Sequence, residues 1–158
     1  MKRLMLLTTL LCSSFANAQR AASVLQSIAG ARTELIAVLP TVGRQDLAVA
    51  LKAAAARGTK VFLITEAASV HRGGYLLNVS HGPDSLRTYL YRGTLPEAWV
   101  LVDNAWVATG AGLDQEGASV LEVSQDAAVV QRLNAWARQV TQAGPISRPD
   151  LLKLHFGK

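Results

Sequence analysis

Cysteine is almost missing from this chain. The 158 residues contain one, Cys12, so no intrachain disulfide can form. Histidine is nearly as scarce: His71, His81 and His155 are the full set, and none follows the close ligand spacing of a zinc site. No histidine lies between His81 and His155, and no lysine between Lys60 and Lys153. Aromatic residues make up 6 %, which limits extended stacking surfaces to a few positions. No apolar run reaches the roughly 20 residues a membrane-spanning helix needs.

What is present begins with an export pattern. Lys2 and Arg3 precede an apolar stretch from Leu4 to Cys12, then Ser13-Ser14, then the small-residue close Ala16-Asn17-Ala18. That order is the one a signal peptidase reads, so residues 1–18 are expected to be a cleaved signal peptide. The mature protein is then expected to be secreted or periplasmic, with no transmembrane segment. Cleavage removes Cys12, so the core must carry stability without disulfides. It also removes two basic residues and lowers the net charge from +5 to +3. So small an excess does not by itself announce nucleic-acid binding. Abundant alanine, leucine and arginine with little lysine fit a GC-rich bacterial coding bias.

The remaining chain is one domain by length. Ala21 to Ala31 places Val24, Leu25, Ile28 and Ala31 at helical spacing. Thr33 to Leu39 predicts a buried strand, Asp46 to Arg57 a helix ending before Gly58, and Lys60 to Thr65 a second buried strand. Apolar strands around a helix argue for a parallel pair. A loop at residues 71–74 and a turn at Gly82-Pro83-Asp84 follow, with a short helix expected at Ser85–Leu86 and a strand at Arg87–Tyr91. Ala98–Val102 and Ala105–Thr109 flank Asp103-Asn104, which predicts a hairpin. A strand at Ser119–Val123 and an amphipathic helix at Asp126–Val140 close the domain. Its expected extent is 19–145, with residues 146–158 a tail holding about one helical turn from Leu151 to Phe156. The fold class is α/β, a mixed sheet flanked by helices.

Two segments carry a family resemblance. ALKAAAARGTKVFLI (50–64) resembles the helix, Arg-Gly and strand of the phospholipase D superfamily. PEAWVLVDNAWVATGAGL (96–113) is similar to the hairpin that follows there, which carries His-x-Lys, four residues, Asp, six residues, then Gly-Ser-x-Asn. The resemblance extends over Val24 to Val140 as one copy of the repeat. It implies a phospholipase D-like single-repeat fold, and a homodimer in which two repeats meet.

The resemblance also implies phosphodiester hydrolysis through a phosphohistidine, and here the residues depart from it. A neutral imidazole must attack phosphorus while a lysine stabilises the developing charge. The motif's His position is Pro96, its Lys position Ala98, its Ser position Ala111 and its Asn position Leu113. Asp103 and Gly110 alone match, and Asp103 sits where a hairpin turn favours aspartate for backbone reasons. The acid of the family's last strand would fall near Ala118, with Glu122 close by. No catalytic residue is assigned, and no cofactor or metal is expected.

His71, Arg72, His81, Arg87 and Arg92 form a candidate basic ligand-binding set, with Tyr75, Tyr89 and Tyr91 as stacking faces. The plain alternative is a solvated loop with tyrosines packed at a sheet edge. Asp114 and Glu116, among Gly110, Gly112 and Gly117, read as an ordinary loop, short of a calcium site. Trp99, Trp106 and Trp136 are assigned to the core or an interface. The expected function is a catalytically inactive, exported binding or scaffold module for nucleic acid, an anionic envelope component or a protein. The alternative is a phosphodiesterase, nuclease or phospholipase, whose site is rebuilt or completed by a partner.

Overall fold

A computed structural model describes residues 20–118 and 121–157. The expected signal peptide lies outside the described residues, as do two residues of the strand expected at 119–123. Six strands build one mixed sheet: β1 (Glu34–Leu39), β2 (Lys60–Glu66), β3 (Leu86–Tyr91), β4 (Trp99–Val102), β5 (Trp106–Thr109) and β6 (Glu122–Ser124), in the order β3-β2-β1-β4-β5-β6. β1, β2 and β3 run parallel, and β4, β5 and β6 add antiparallel on the other side of β1.

β1 is apolar on both faces because both are covered. Leu35 through Leu39 are each no more than 2 % exposed. One face packs against α1 (20–29 among the described residues), α2 (Gln45–Ala56), α3 (Leu76–Ser80) and α5 (Arg148–Phe156). The other face packs against α4 (Ala127–Thr141) through Val129, Val130, Leu133, Trp136 and Ala137. Burying each large aliphatic side chain contributes about 1.5–3 kcal/mol, so the two-faced burial of β1 and β2 dominates stability.

Local chemistry sets the ends of these elements. α2 stops where the Arg57 and Gly58 amides turn back to the Ala54 and Ala55 carbonyls. The Asp126 carboxylate caps α4, accepting from the Ala128 amide at 2.8 Å. Asp103 and Asn104 both take positive φ, 50° and 54°, and Ala105 N–H donates to the Val102 carbonyl. That left-handed pair matches the twist of the hairpin strands.

The mixed sheet flanked by helices agrees with the sequence expectation. Three local expectations change. Ser85–Leu86 is not helical: Leu86 opens β3, paired with Val61, because the edge of β2 offers it a ladder. The short helix comes earlier, as α3, and carries the chain from Tyr75 back to the start of β3. The segment after residue 145 is anchored. Ile146 N–H donates to the Thr88 carbonyl at 2.8 Å, Ser147 caps α5, and Leu151 is fully buried among the other helices.

Candidate functional site

The chain turns outward at the carboxyl ends of β1 and β2, and β1 is where the topology changes side, with β2 on one flank and β4 on the other. Such a switch point opens a crevice at the strand ends. A cleft of about 580 Å³ lies there, between Pro40 after β1, the Leu95–Ala98 approach to β4, and Ala111 and Asp114 after β5. Three positions of the degenerate motif line it: Pro96, Ala98 and Ala111. Pro96 is exposed at its rim, Ala98 and Leu113 are buried, and Ala111 faces in. No tryptophan lines it.

Gly110 has φ 126° and ψ 161°, a backbone region reserved for glycine, and its amide donates to the Ala98 carbonyl at 2.9 Å. This geometry accounts for glycine at that position without any catalytic role. Asp103 is explained in the same way. It stands at the opposite end of the hairpin, where its carboxylate accepts from the amides of Arg32, Thr33 and Glu34 and from the Thr33 hydroxyl. Burial raises its pKa, but these donors outweigh burial and hold the carboxyl below its ordinary value. Asp103 ties the hairpin turn to the entry of β1.

The side chains that give the cleft its character are acidic. Asp114, read from sequence as part of an ordinary loop, is buried at 4 % exposure and lines the cleft. Burial pushes its pKa up and the charge of Glu66 adds to the rise, against the opposing hydrogen bonds of its own amide and of the Thr41 amide and hydroxyl. Glu66, the last residue of β2, is 7 % exposed and accepts from the Leu95 amide at 2.8 Å. The segment before α2 is pressed against this region. A side chain at Gly43 would collide with the Asp114 carbonyl, and Arg44 donates to the Gly112 carbonyl while pairing with Asp46. Glu66 escaped the sequence reading. Its one signal is its place, a carboxylate closing an apolar parallel strand.

The hydroxyls beneath the cleft are engaged. Thr65 reaches the Pro40 carbonyl and Ser69 the Glu66 carbonyl. Among the described residues, no three potential metal ligands stand together. The cleft can accept hydrogen bonds, but its lining holds no imidazole or ammonium to attack or neutralise a phosphate.

The five candidate basic residues do not form one site. His71 and Arg72 lie in the loop beside Val42, and Arg92 follows β3, all toward the cleft end of the sheet. His81 and Arg87 lie at the other end, past α3, where His81 contacts Arg148. The tyrosines are packing residues: Tyr89 is buried and stacked on Phe62, Tyr91 meets Trp136 edge-on, and Tyr75 is half-buried. Trp99 and Trp136 meet on the α4 face, and Trp106 packs on the other.

The sequence matches no protein-family model, and no curated protein is similar to it. Solved structures share the fold. NucT from Helicobacter pylori superposes with a TM-score of 0.68 at 16 % identity, over 81 % of this chain and 91 % of its own. Nuc from Salmonella typhimurium, a phospholipase D family member, gives 0.62 at 20 % identity, over 77 % of this chain and 86 % of its own. The archaeal chromatin protein TrmBL2, described as having a novel mode of DNA binding, gives 0.52 at 12 % identity, over 78 % of this chain and 49 % of its own. The fold of this chain is phospholipase D-like.

Proposed function

We propose that this is an exported, non-hydrolytic phospholipase D-like domain that works as a binding module for an anionic polymer, with nucleic acid the first choice. One observation carries the reading. The cleft at the motif positions is lined by Pro96, Ala98, Ala111 and Asp114 and backed by Glu66. A phosphodiester placed there would meet carboxylate instead of the imidazole and ammonium that its hydrolysis requires. The signal-peptide pattern of residues 1–18 supports export. The DNA-binding description of TrmBL2 supports nucleic acid. A two-fold pairing of copies is part of the reading, on the family resemblance.

The test is turnover by the purified mature protein. Plasmid DNA, a chromogenic phosphodiester and phospholipid vesicles are each incubated with it, with and without EDTA. No hydrolysis is expected of any of them. Turnover that survives purification and disappears when His71 or His81 is replaced would overturn the reading. A phosphodiesterase completed by a partner is the second reading. It is favoured by the cleft having stayed open, and activity appearing only on adding a partner would establish it. Sedimentation of the mature protein tests the pairing, with a single monomer species as the contrary result.

A further inference from the structure

The parallel half of the sheet carries different charged groups at its two ends, acids lining the cleft at one end with Arg72 and Arg92 outside that lining. Its carboxyl end carries Glu66, Glu97 and Asp114 around the cleft. Its amino end carries one exposed cation for each parallel strand: Arg32 before β1, Lys60 at the first position of β2, and Arg87 at the second position of β3. The register sets them on a diagonal: Lys60 pairs with Glu34, two residues beyond Arg32, and Arg87 pairs with Phe62, two residues beyond Lys60. Neighbouring strands are about 4.8 Å apart and each two-residue step adds about 6.6 Å along them, so the three backbone positions span about 16 Å. Arg57 joins the row from the end of α2, donating to the Ala29 and Ala31 carbonyls, and Arg148 stands across a notch from Arg87.

The acids at this end are largely spoken for. Glu34 is paired with Arg138, and the Asp103 carboxylate is filled by backbone donors. Asp84, on the same notch as Arg87 and Arg148, is the exposed exception. Among the described residues, the exposed large apolar side chains, Val49, Val123, Leu154 and Phe156, lie elsewhere, so those residues offer no apolar wedge for a bilayer at this end. An arginine-rich row without apolar insertion fits a chain of phosphates, which guanidinium groups bind in forked hydrogen bonds.

We propose that this amino-end row, centred on Arg32, Lys60 and Arg87, is a sequence-independent docking surface for the phosphate backbone of nucleic acid, on the side of the sheet opposite the motif cleft. This assignment rests on the binding-module reading and names the surface that serves it. Phosphate contacts release counterions, so affinity falls with salt at about 0.9 log units per log unit of salt for each phosphate neutralised on a duplex.

The experiment is fluorescence anisotropy of a labelled 20-base-pair duplex with the mature chain over a salt series. The combined variant Arg32→Ser, Lys60→Ser and Arg87→Ser should lose at least tenfold in affinity, and its salt slope should fall by about 2.7. Arg72→Ser with Arg92→Ser, at the cleft end, should stay within about twofold. Should the triple variant unfold, Lys60→Ser alone should lower the slope by about 0.9, and Arg32→Lys with Arg87→Lys should retain binding. Wild-type affinity in the folded triple variant, or an unchanged slope for Lys60→Ser where the triple variant does not fold, would overturn the assignment. So would loss of binding on replacing Arg72 and Arg92, absence of duplex binding, or binding to phosphatidylglycerol vesicles in place of DNA. Hydrolysis of the duplex with binding still dependent on Arg32, Lys60 and Arg87 would sink the non-hydrolytic reading and leave this surface standing.

Discussion

Asp103 and Thr33, seventy residues apart, are joined twice: the Asp103 carboxylate accepts from the Thr33 amide at 2.8 Å and from its hydroxyl at 2.9 Å. With the Arg32 and Glu34 amides also donating, one side chain serves the whole entry of the central strand. The one acidic motif residue that matches is therefore kept by architecture.

That role predicts a stability profile for Asp103→Asn, a substitution that tolerates the positive φ, removes the charge and keeps one acceptor oxygen while placing an amide donor where Oδ2 accepts from the Arg32 amide. The folded-state pKa is held below the ordinary 3.8, so the unfolded chain binds the proton more tightly. The stabilisation is present above the ordinary value and lost as pH falls through the folded one. Urea melts should show Asp103→Asn less stable by about 1–3 kcal/mol at neutral pH, with the gap closing in acid. Asp103→Ala should be worse, since it strands three amides at every pH. A gap that does not close in acid would count against the charge as the cause.

Asp114 predicts the opposite slope. Its folded-state pKa lies above the ordinary 3.8, raised by burial and then by Glu66. The folded chain holds that proton more tightly, so the penalty for ionising it is absent in acid and grows as pH rises through the folded pKa. Asp114→Asn should be more stable than the parent at pH 7 and equal to it below about pH 3, where both states are protonated. Glu66→Gln keeps the acceptor for the Leu95 amide and removes the neighbouring charge, so carbon-detected NMR should find the Asp114 pKa lowered. An unchanged value would mean that the two carboxylates do not sense each other.

Gly110 sits where only glycine is unstrained. Gly110→Ala should cost about 1–3 kcal/mol in a thermal melt, while Ala111→Gly beside it should cost less than about 1 kcal/mol. Equal losses at the two positions would refute the backbone explanation.

Leu151 tests whether the last helix belongs to the domain. Removing a fully buried leucine costs about 2–5 kcal/mol, so Leu151→Ala should lose that much in a single cooperative transition. Leu154→Ala, on the exposed side of the same helix, should lose well under 1 kcal/mol. A native-like melt for Leu151→Ala would mean α5 is not anchored.

How legible all this was depended on how local each signal is. β1, β2, α2 and α4 follow from apolar runs, helical periodicity and the Asp126 cap, all read within a dozen residues. The hairpin followed from Asp103-Asn104 for the same reason. Leu86 was misread because Gly82-Pro83-Asp84 resembles a helix start, and only the neighbouring edge of β2 turns Leu86 into strand. Glu66 and Asp114 come together from positions 66 and 114, one ending a strand and the other beyond a 3-10 turn. No periodicity links such residues, so the acidic cleft belongs to the fold alone. Leu151 was hidden likewise, since its burial depends on helices far back in the chain.

The position of β1 has a consequence for the emerging polypeptide. The strand is completed on one side by β2, which follows within some twenty residues, and on the other by β4, which begins only at Trp99. A chain synthesised from its amino terminus therefore passes through a stage in which β1 to β3 can pair while one edge of β1, with five apolar residues in a row, has no neighbour. An open edge of that kind is a template for other strands. The interval between the release of residue 91 and that of residue 102 is when this protein most needs a chaperone, or speed.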